Sequence, residues 1–306
     1  MTGTTEVVST QQTWRSGVRE LWRKLYSDKL AFASFLFIVV IIICAVFAEQ
    51  LAPHDPTEQN LLERLKPPGT PGHVLGTDGL GRDALSRMMK GTRFSILIGG
   101  ASTLLAMGIG VPLGFLAGYY SGKVDAIISR LVDMKMAFSS LLILLLVVVM
   151  IGPGPGPLIL VFGISTWPVH TRIVRAGVAN IRQQEFVQAA MAAGASNARI
   201  ILRHLAPHLI PVIIVMGTLE IARLMVGEAS VSFLGFGVQP PDISWGLMVA
   251  QGRSYMQDAW WLVVFPGLAI FVTILSINFL GQWMRGISNP HQRQLIGKPE
   301  SEHLAE

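Results

Sequence analysis

The sequence predicts an all-α membrane protein with six transmembrane helices. Hydrophobic residues make up 51% of its 306 residues and charged residues 14%, whereas soluble domains carry about a quarter charged residues. The charges gather in clusters that separate long uncharged runs. Several runs reach the roughly 20 residues that a helix needs to cross a ~30 Å hydrocarbon layer. An ordinary soluble core is therefore excluded.

The chain begins with one predicted span, which is followed by a long polar loop. Leu30–Ala48 is an uncharged run of 19 residues that comes after a lead of 29 residues. Because secretory signals have shorter leads and shorter apolar cores, we predict an uncleaved first span. The predicted organisation is a cytoplasmic N-terminal segment (1–29), a first transmembrane helix (30–51), an outer loop (52–93), a five-helix core (94–285) and a cytoplasmic tail (286–306).

The core spans follow from apolar runs and from the point where prolines interrupt them. Met136–Val169 is uncharged for 34 residues, which is too long for one ordinary span. Its Gly152–Pro157 segment alternates glycine and proline, and prolines end a helix. We therefore predict two spans joined by a tight turn. The other core spans are predicted at Phe94–Tyr120, Ile210–Phe236 and Trp260–Met284.

Loop charges predict the orientation of the chain. The segment between the fourth and fifth spans holds one acidic residue, Glu185, against Arg172, Arg175, Arg182, Arg199 and Arg203. Cytoplasmic loops are enriched in basic residues, so this loop and both termini are predicted to be cytoplasmic. The net charge of +5 thus reflects loop asymmetry, and we predict no nucleic-acid partner.

No catalytic or metal-binding motif is evident. The nearest match to a phosphate-binding loop, at Gly122-Lys123, lacks both the first glycine and the final Ser or Thr. His204 and His208 are four residues apart, but Pro207 intervenes and no glutamate follows the first histidine. Cys44, the only cysteine, lies in an apolar run. We predict no catalytic residue, no metal ion and no cofactor bound by this chain.

The basic loop contains two helix signals. An alanine-rich run leads to Gly194, which is a plausible left-handed C-cap. Ser196 or Asn197 can cap a second short helix, and Pro207 and Pro211 mark the entry to the fifth span. The small alanine face predicts a helix that sits deeply in a groove on another protein, and an ordinary amphipathic interfacial loop is the alternative.

This segment resembles the EAA loop of bacterial ABC importer permeases. The family pattern is E-A-A, three residues, G, nine residues, I, one residue, L-P. The sequence keeps both alanines, the glycine and the proline, but has Gln188, His204 and Ala206 in place of the glutamate, isoleucine and leucine. The resemblance implies that the loop 173–207 couples to ATPase subunits, with these site residues: Glu185, Gln188, Ala189, Ala190, Gly194 and Pro207.

Three further segments are similar to the C-type permease subunits of dipeptide and oligopeptide ABC importers. They are Leu75–Asp83 with Ser86-Arg87, Glu228–Gly237, and Gln239–Pro241 with Ser244–Gly246. The first corresponds to an outer-loop motif of that family, formed by Gly76, Thr77, Asp78, Gly81, Arg82 and Asp83. The resemblance implies the type I ABC importer permease (MetI-like) fold.

The resemblance also implies a division of labour in the bacterial inner membrane. A second permease would complete the path, two ATP-binding subunits would hold ATP and Mg, and an extracytoplasmic binding protein would deliver a peptide. This chain would be a non-catalytic subunit in the bilayer. Nickel, glutathione or haem remains open as a substrate within the family. An ion-coupled secondary transporter and a non-transporting scaffold are the alternatives from other classes.

Charged residues in the fifth span need an explanation because charges at membrane depth are unfavourable. Glu220 and Arg223 are one helical turn apart and can pair. Glu228 either forms hydrogen bonds at the seam with the second permease or lines the path and meets the peptide's ammonium group. The candidate path or seam residues are Glu220, Arg223, Glu228 and Ser232.

Overall fold

The computed structural model describes residues 22–288, and the regular elements in that range are helices. Most of the predicted N-terminal segment and nearly all of the predicted tail lie outside the described residues. After a helical stretch at residues 22–27, the helices in chain order are α1 (Lys29–Val46), α2 (Ala48–Leu51), a 3-10 turn (Leu61–Glu63), α3 (Ala84–Tyr120), α4 (Gly122–Met136), α5 (Ser140–Ile151), α6 (Pro155–Arg182), α7 (Glu185–Ala192), α8 (Asn197–Arg199), a π-helix (Ile200–Leu205), α9 (Ala206–Phe233), α10 (Trp245–Gly252), a 3-10 turn (Arg253–Tyr255) and α11 (Trp261–Ser288).

Within the described residues, five helices are long and apolar enough to cross a membrane alone. They are α1, α3, α6, α11 and the continuous helix Asn197–Phe233. The pair α4 and α5, which meet at a bend of 72°, gives a sixth candidate span by length and composition when the two are counted together. The prediction of a multi-pass helical membrane protein is confirmed.

The third span, expected in the uncharged run that starts at Met136, is not one straight helix from that residue. Its apolar helix, α5, covers Ser140–Ile151, and the charged helix α4 precedes it across a break at residues 137–139. Hydropathy does not detect that these charges are paired: Asp133 accepts a hydrogen bond from Arg172 at 2.6 Å, and Asp125 accepts one from Arg175 at 2.6 Å. Pairing with α6 lets a charged, amphipathic helix lie against the bundle.

Other predicted ends are also displaced, because helices continue past the apolar runs. The second span begins at Ala84 rather than Phe94. The fourth continues to Arg182 instead of ending near Val169, so the first ten residues of the predicted loop 173–207 are helical core. The turn predicted at Gly152–Pro157 is confirmed: α5 ends at Ile151, and α6 begins at Pro155.

A stripe of small residues brings α3 against α6. Gly110, Gly114 and Gly118 recur at four-residue spacing, a pattern that lets helices approach closely in lipid. A Cβ atom at Gly110 would lie 2.5 Å from the backbone oxygen of Trp167, and one at Gly118 would lie 2.6 Å from that of Arg175. The two backbones are thus in contact along several turns, and this pair forms the centre of the bundle.

Candidate functional site

The cytoplasmic loop predicted from sequence folds into a helical hairpin, residues 185–205, which we call the loop hairpin. Its first helix, α7, ends in a left-handed residue, Gly194, with φ +79°. The Gly194 N–H donates to Met191 O at 3.0 Å, and the Ala195 N–H donates to Ala190 O at 3.1 Å. These two bonds form the Schellman C-cap. The left-handed cap predicted at Gly194 is confirmed.

The loop hairpin is anchored to the bundle by a buried apolar cluster. Val187 and Leu205 are fully buried and pack with residues that include Tyr119 and Val178, from the ends of α3 and α6. The Tyr119 hydroxyl donates to Asn197 Oδ1 at 2.8 Å. A displacement of the hairpin is therefore expected to be transmitted to α3 and α6.

The other side of the loop hairpin is open. Phe186, which is 39% exposed, stacks on His208 with ring centroids 5.0 Å apart. Leu202 is 73% exposed. Of the predicted coupling residues, Ala190 is half-buried, and Glu185, Gln188, Ala189, Gly194 and Pro207 are exposed. Exposed small side chains beside exposed apolar ones form a surface that another protein can cover.

The sequence predicts a second, separate helix in the loop hairpin. In the structure this second helix instead runs on into the fifth span. Ser196 lies at the N-cap position, although its side chain makes no capping hydrogen bond. The N–H of Ala206 donates to Ile201 O, five residues back, so the chain passes through a π turn just before Pro207. A proline lacks an N–H and clashes with the preceding turn. The wider π turn absorbs that misfit, which explains why Pro207 does not end the helix.

The outer-loop motif is organised around the Asp78 carboxylate. It accepts hydrogen bonds from the N–H groups of Leu80 and Arg82 at 2.8 and 3.0 Å, and from Arg82 Nε at 2.7 Å. Buried Arg87, in the first turn of α3, lies 3.4 Å from the same carboxylate and donates to Gln251 at 2.7 Å. Asp78 thus ties the motif to both α3 and α10.

Asp83 caps α3 and orders a histidine. Its carboxylate accepts from the N–H and hydroxyl of Ser86 at 2.8 and 2.7 Å. His73 contacts Asp83 through Nδ1 at 2.9 Å and Glu63 through Nε2 at 3.1 Å. The hydrogen bond to Asp83 raises the pKa of His73. Hydrogen bonds from Lys66 and His73 lower the pKa of Glu63 to about 2.

Two glycines of the motif are required by close backbone contacts. Gly81 has φ +73°, and a Cβ atom there would lie 1.8 Å from the backbone oxygen of Asn60. Gly76 has φ +78°, with Lys66 O 2.5 Å from the corresponding position. Thr77 between them is fully buried, and its carbonyl accepts from Trp261 Nε1 at 3.3 Å. In this structure the motif is a clamp that holds the outer loop against α3 and α11.

One group of side chains in this clamp has metal-ligand chemistry. His54, His73 and Asp83 place three possible ligand atoms within 4.8 Å of one another. His73 and Asp83 are joined by the hydrogen bond described above, and His54 Nδ1 lies 3.9 Å from the other oxygen of Asp83.

The charged residues of α9 are placed in two different environments. Glu220 and Arg223 form a bidentate pair, with Nε and Nη2 of Arg223 at 3.0 and 2.6 Å from the carboxylate. Glu228 is 1% exposed and accepts from the hydroxyls of Ser232 and Ser244, both at 2.6 Å. In this structure Glu228 therefore joins α9 to the start of α10 inside the chain, rather than facing an open surface.

Comparison with known proteins identifies the family. Residues 110–294 match the family of inner membrane components of binding-protein-dependent transport systems. Residues 16–68 match the N-terminal transmembrane domain of oligopeptide transport permease C. The chain belongs to this family of permeases.

The curated relatives of the permease cover almost all of its length. The di/tripeptide transport system permease protein DppC of Pseudomonas aeruginosa is 37% identical over 280 residues, covering 90% of this chain and 92% of the relative. The glutathione transport system permease protein GsiD of Pectobacterium atrosepticum is 37% identical over 276 residues, with the same coverages. The dipeptide transport system permease protein DppC of Haemophilus influenzae is 34% identical over 285 residues, covering 92% and 97%.

A solved structure shares the fold of the permease. An inward-facing form of the MetNI methionine ABC transporter matches with a TM-score of 0.56 at 17% identity, covering 67% of this chain and 97% of the other. The predicted MetI-like fold is confirmed.

Two polar residues of the permease that the sequence motifs do not single out, Lys135 and His170, lie near the Glu220–Arg223 pair. Lys135, at the end of α4, donates to the backbone oxygen of Ser165 in α6. His170 is 2% exposed, and neither ring nitrogen has a partner within the described residues. A signal was present in the sequence: Lys135 and His170 are the residues that flank the uncharged run 136–169.

Proposed function

We propose that the permease is one of two membrane subunits of an ATP-driven importer for dipeptides and oligopeptides. A second permease would complete the translocation path, and an extracytoplasmic binding protein would deliver the peptide. Two partner ATPases would hold ATP and Mg and supply the energy. Relatives with dipeptide or di/tripeptide transport in their names, at 34–37% identity over about 90% of the chain, support the substrate class.

One observation carries the proposed coupling: the loop hairpin is exposed on one side and locked to the bundle on the other. Its open face presents Ala189, where a bulky partner surface can approach closely. Val187, on its buried face, packs in one apolar cluster with Tyr119 of α3 and Val178 of α6. A partner that grips the open face would therefore move the bundle as well as the loop.

The mechanism follows from the continuity of these elements. Closure of the ATPase dimer would displace the loop hairpin, and the helix Asn197–Phe233 would carry that displacement to membrane depth. Alternating access needs such discrete arrangements of packed helices. The outer-loop clamp would hold the opposite end of α3 through Asp78 and Arg87 while the inner end moves.

The test is to block the open face without disturbing the fold. Ala189→Trp adds a large side chain at an exposed position of the loop hairpin, and Ala126→Trp makes the same change at an exposed position of α4. We expect Ala189→Trp to weaken ATPase capture by the purified permease pair and to abolish peptide transport. The control should retain both activities. Normal capture and transport by Ala189→Trp would refute this docking site.

The same variants separate this proposal from the other classes of transporter. An ion-coupled transporter would move substrate in vesicles that lack ATP, and a scaffold would move none under any condition. Transport by the assembled complex that stops when ATP is withheld excludes both.

Glutathione is the second candidate substrate, because the relative from Pectobacterium atrosepticum is named for it and is 37% identical to this chain. Glutathione is itself a tripeptide, so the two candidates share a chemical class. Competition assays with a dipeptide, a longer peptide, glutathione, nickel and haem distinguish them. The proposal requires that unlabelled peptides compete best.

A further inference from the structure

The bend between α4 and α5 lies level with the interior of a candidate span, because Lys135, near the end of α4, donates to the backbone oxygen of Ser165, ten residues after α6 begins. With a rise of 1.5 Å per residue, the 12 residues of α5 span about 18 Å, which is less than the ~30 Å hydrocarbon layer. Residues 137–139, which connect the two helices, are exposed in this chain. Non-helical backbone at membrane depth is tolerated only where protein covers it or water reaches it. The bend therefore faces either the companion permease or the translocation path.

Hydrogen-bond donors converge on this bend. Ser139 occupies the N-cap position of α5, but its side chain makes no capping hydrogen bond, so the first-turn N–H groups lack a side-chain acceptor. Lys135 reaches the same turn and donates to Ser140 Oγ at 3.1 Å. The start of a helix also carries a partial positive charge, so this turn attracts an anion.

A second cation approaches from α9. Arg223 is close enough to Lys135 for their charges to repel. Its side chain is 58% exposed, whereas that of its partner Glu220 is 7% exposed. Two guanidinium nitrogens are occupied by Glu220, and Nη1 makes no hydrogen bond within the described part of the chain. The cluster thus has two cations against one carboxylate, and the buried, unpartnered ring of His170 lies in the field of Glu220 and Arg223.

The chemistry of this donor set selects the ligand. An unmatched positive charge at membrane depth is unfavourable unless an anion or water meets it. The available donors are the third N–H of the Lys135 ammonium, which already donates to Ser140 Oγ and Ser165 O, together with Arg223 Nη1 and the helix N–H groups. The one carboxylate is already taken by Arg223. A carboxylate is the group of a peptide that accepts from all three, and it pairs well with a guanidinium.

We propose that Lys135, Arg223 and the first turn of α5, together called the bend site, bind the C-terminal carboxylate of the transported peptide. The inference rests on the proposed peptide-import function and adds a substrate contact on this subunit. It implies that the permease itself, and not only the delivering protein, distinguishes a free carboxylate from a neutral end. A carboxylate side chain of the companion permease is the competing occupant, which the experiments below separate.

The first experiment is a double-mutant cycle on the reconstituted complex. Transport of a dipeptide and of its C-terminal amide is measured for the wild type, for Lys135→Met and for Lys123→Met. The control removes the same charge from an exposed position about 18 Å away on the same helix. Because every assay uses one binding protein, its own selectivity cancels in the comparison.

We expect Lys135→Met to slow free-acid transport on the order of tenfold, as for loss of a hydrogen bond to a charged group. Amide transport should change by less than about twofold, and Lys123→Met should behave like the wild type. Equal losses of acid and amide transport would overturn the inference. If the second permease no longer co-purified with Lys135→Met, the bend site would belong to the seam between the two subunits, which would overturn it as well. A wild type that moves no peptide would overturn the proposed function as well.

The second experiment tests whether water reaches the bend. In a Cys44→Ser background, which removes the only cysteine, Ser139→Cys should react with a membrane-impermeant maleimide. A free-acid dipeptide should slow that reaction more than its amide does. Val149→Cys, at a position that is 78% exposed along α5, is the control for a lipid-facing site and should remain unlabelled. An unreactive Ser139→Cys in every nucleotide state would contradict the inference.

Discussion

Gly194 offers a sharp test of the loop hairpin because its requirement is purely conformational. The residue has φ +79°, and a Cβ atom there would meet nothing within 4 Å. A left-handed conformation costs about 1–2 kcal/mol for a residue with a Cβ atom, and more for a β-branched one. If Gly194→Val leaves that conformation, the Schellman cap loses two hydrogen bonds worth about 0.5–1.5 kcal/mol each. The native hairpin is then disfavoured by roughly 1–3 kcal/mol, a factor of about 5 to 150 in population.

The assay is the number of ATP molecules hydrolysed per peptide transported by the reconstituted complex. We expect this ratio to rise in the order Gly194→Asn, Gly194→Ala, Gly194→Val, because asparagine tolerates the left-handed region best. The matched control is Gly152→Val, at a position between α5 and α6. There φ is +101° and ψ is 162°, a region that is essentially restricted to glycine, and a Cβ atom again meets nothing within 4 Å. The strain is therefore at least as large, but it is distant from the loop hairpin.

Two results would refute this reasoning. An assembled Gly194→Val complex with unchanged coupling would show that the Schellman cap does not matter to transmission. An equal loss of coupling in Gly152→Val would show that any strained turn uncouples the complex. Complex assembly is measured in parallel by co-purification of the ATPases.

Three further predictions concern the clamp and the core. Gly81→Ala should lower the free energy of unfolding by about 2–4 kcal/mol, because its Cβ atom would lie 1.8 Å from the backbone oxygen of Asn60. The control is Gly69→Ala, at a left-handed but uncrowded position, which should lower it by about 1 kcal/mol in thermal unfolding. Since the pKa of His73 is raised from 6.5, its contribution to stability is complete below that pH and is lost as the pH rises through the folded value. Thermal stability should fall as the pH is raised above 6.5 in the wild type but not in His73→Gln. Glu228→Leu should destabilise by about 2–4 kcal/mol, since two buried serine hydroxyls lose their acceptor, whereas Glu228→Gln should unfold near the wild-type temperature.

The bundle was predictable where sequence patterns act locally. The alternating glycines and prolines of 152–157 break a helix in any context, and they do so here. The positive φ of Gly194 follows from its position after an alanine-rich helix. Both features depend on neighbours within a few residues, which a single sequence displays directly.

The ends of the spans were not predictable because they depend on partners distant in sequence. Hydropathy assigns Asp125 and Asp133 to a loop, but their arginine partners on α6 let α4 remain helical against the bundle. The continuous helix through Pro207 depends on a π turn, for which the sequence carries no recognisable signal. The bend site was missed for the same reason: Lys135 and Arg223 are brought together only by the tertiary fold.

The helix Asn197–Phe233 connects the two proposed sites, and its geometry sets what a movement of the loop hairpin can do. Arg223 is carried on this helix, whereas Lys135 is carried on α4. A rigid displacement of one helix against the other must therefore change the separation of the two cations. The π turn at 200–205 is the last segment of the loop hairpin, and it lies between α7 and Arg223. If a substitution that restores regular α-helix there left both coupling and carboxylate selectivity unchanged, the two sites would be mechanically independent. We expect them instead to change together, because the helix Asn197–Phe233 carries the second half of the loop hairpin at one end and the substrate-binding Arg223 toward the other.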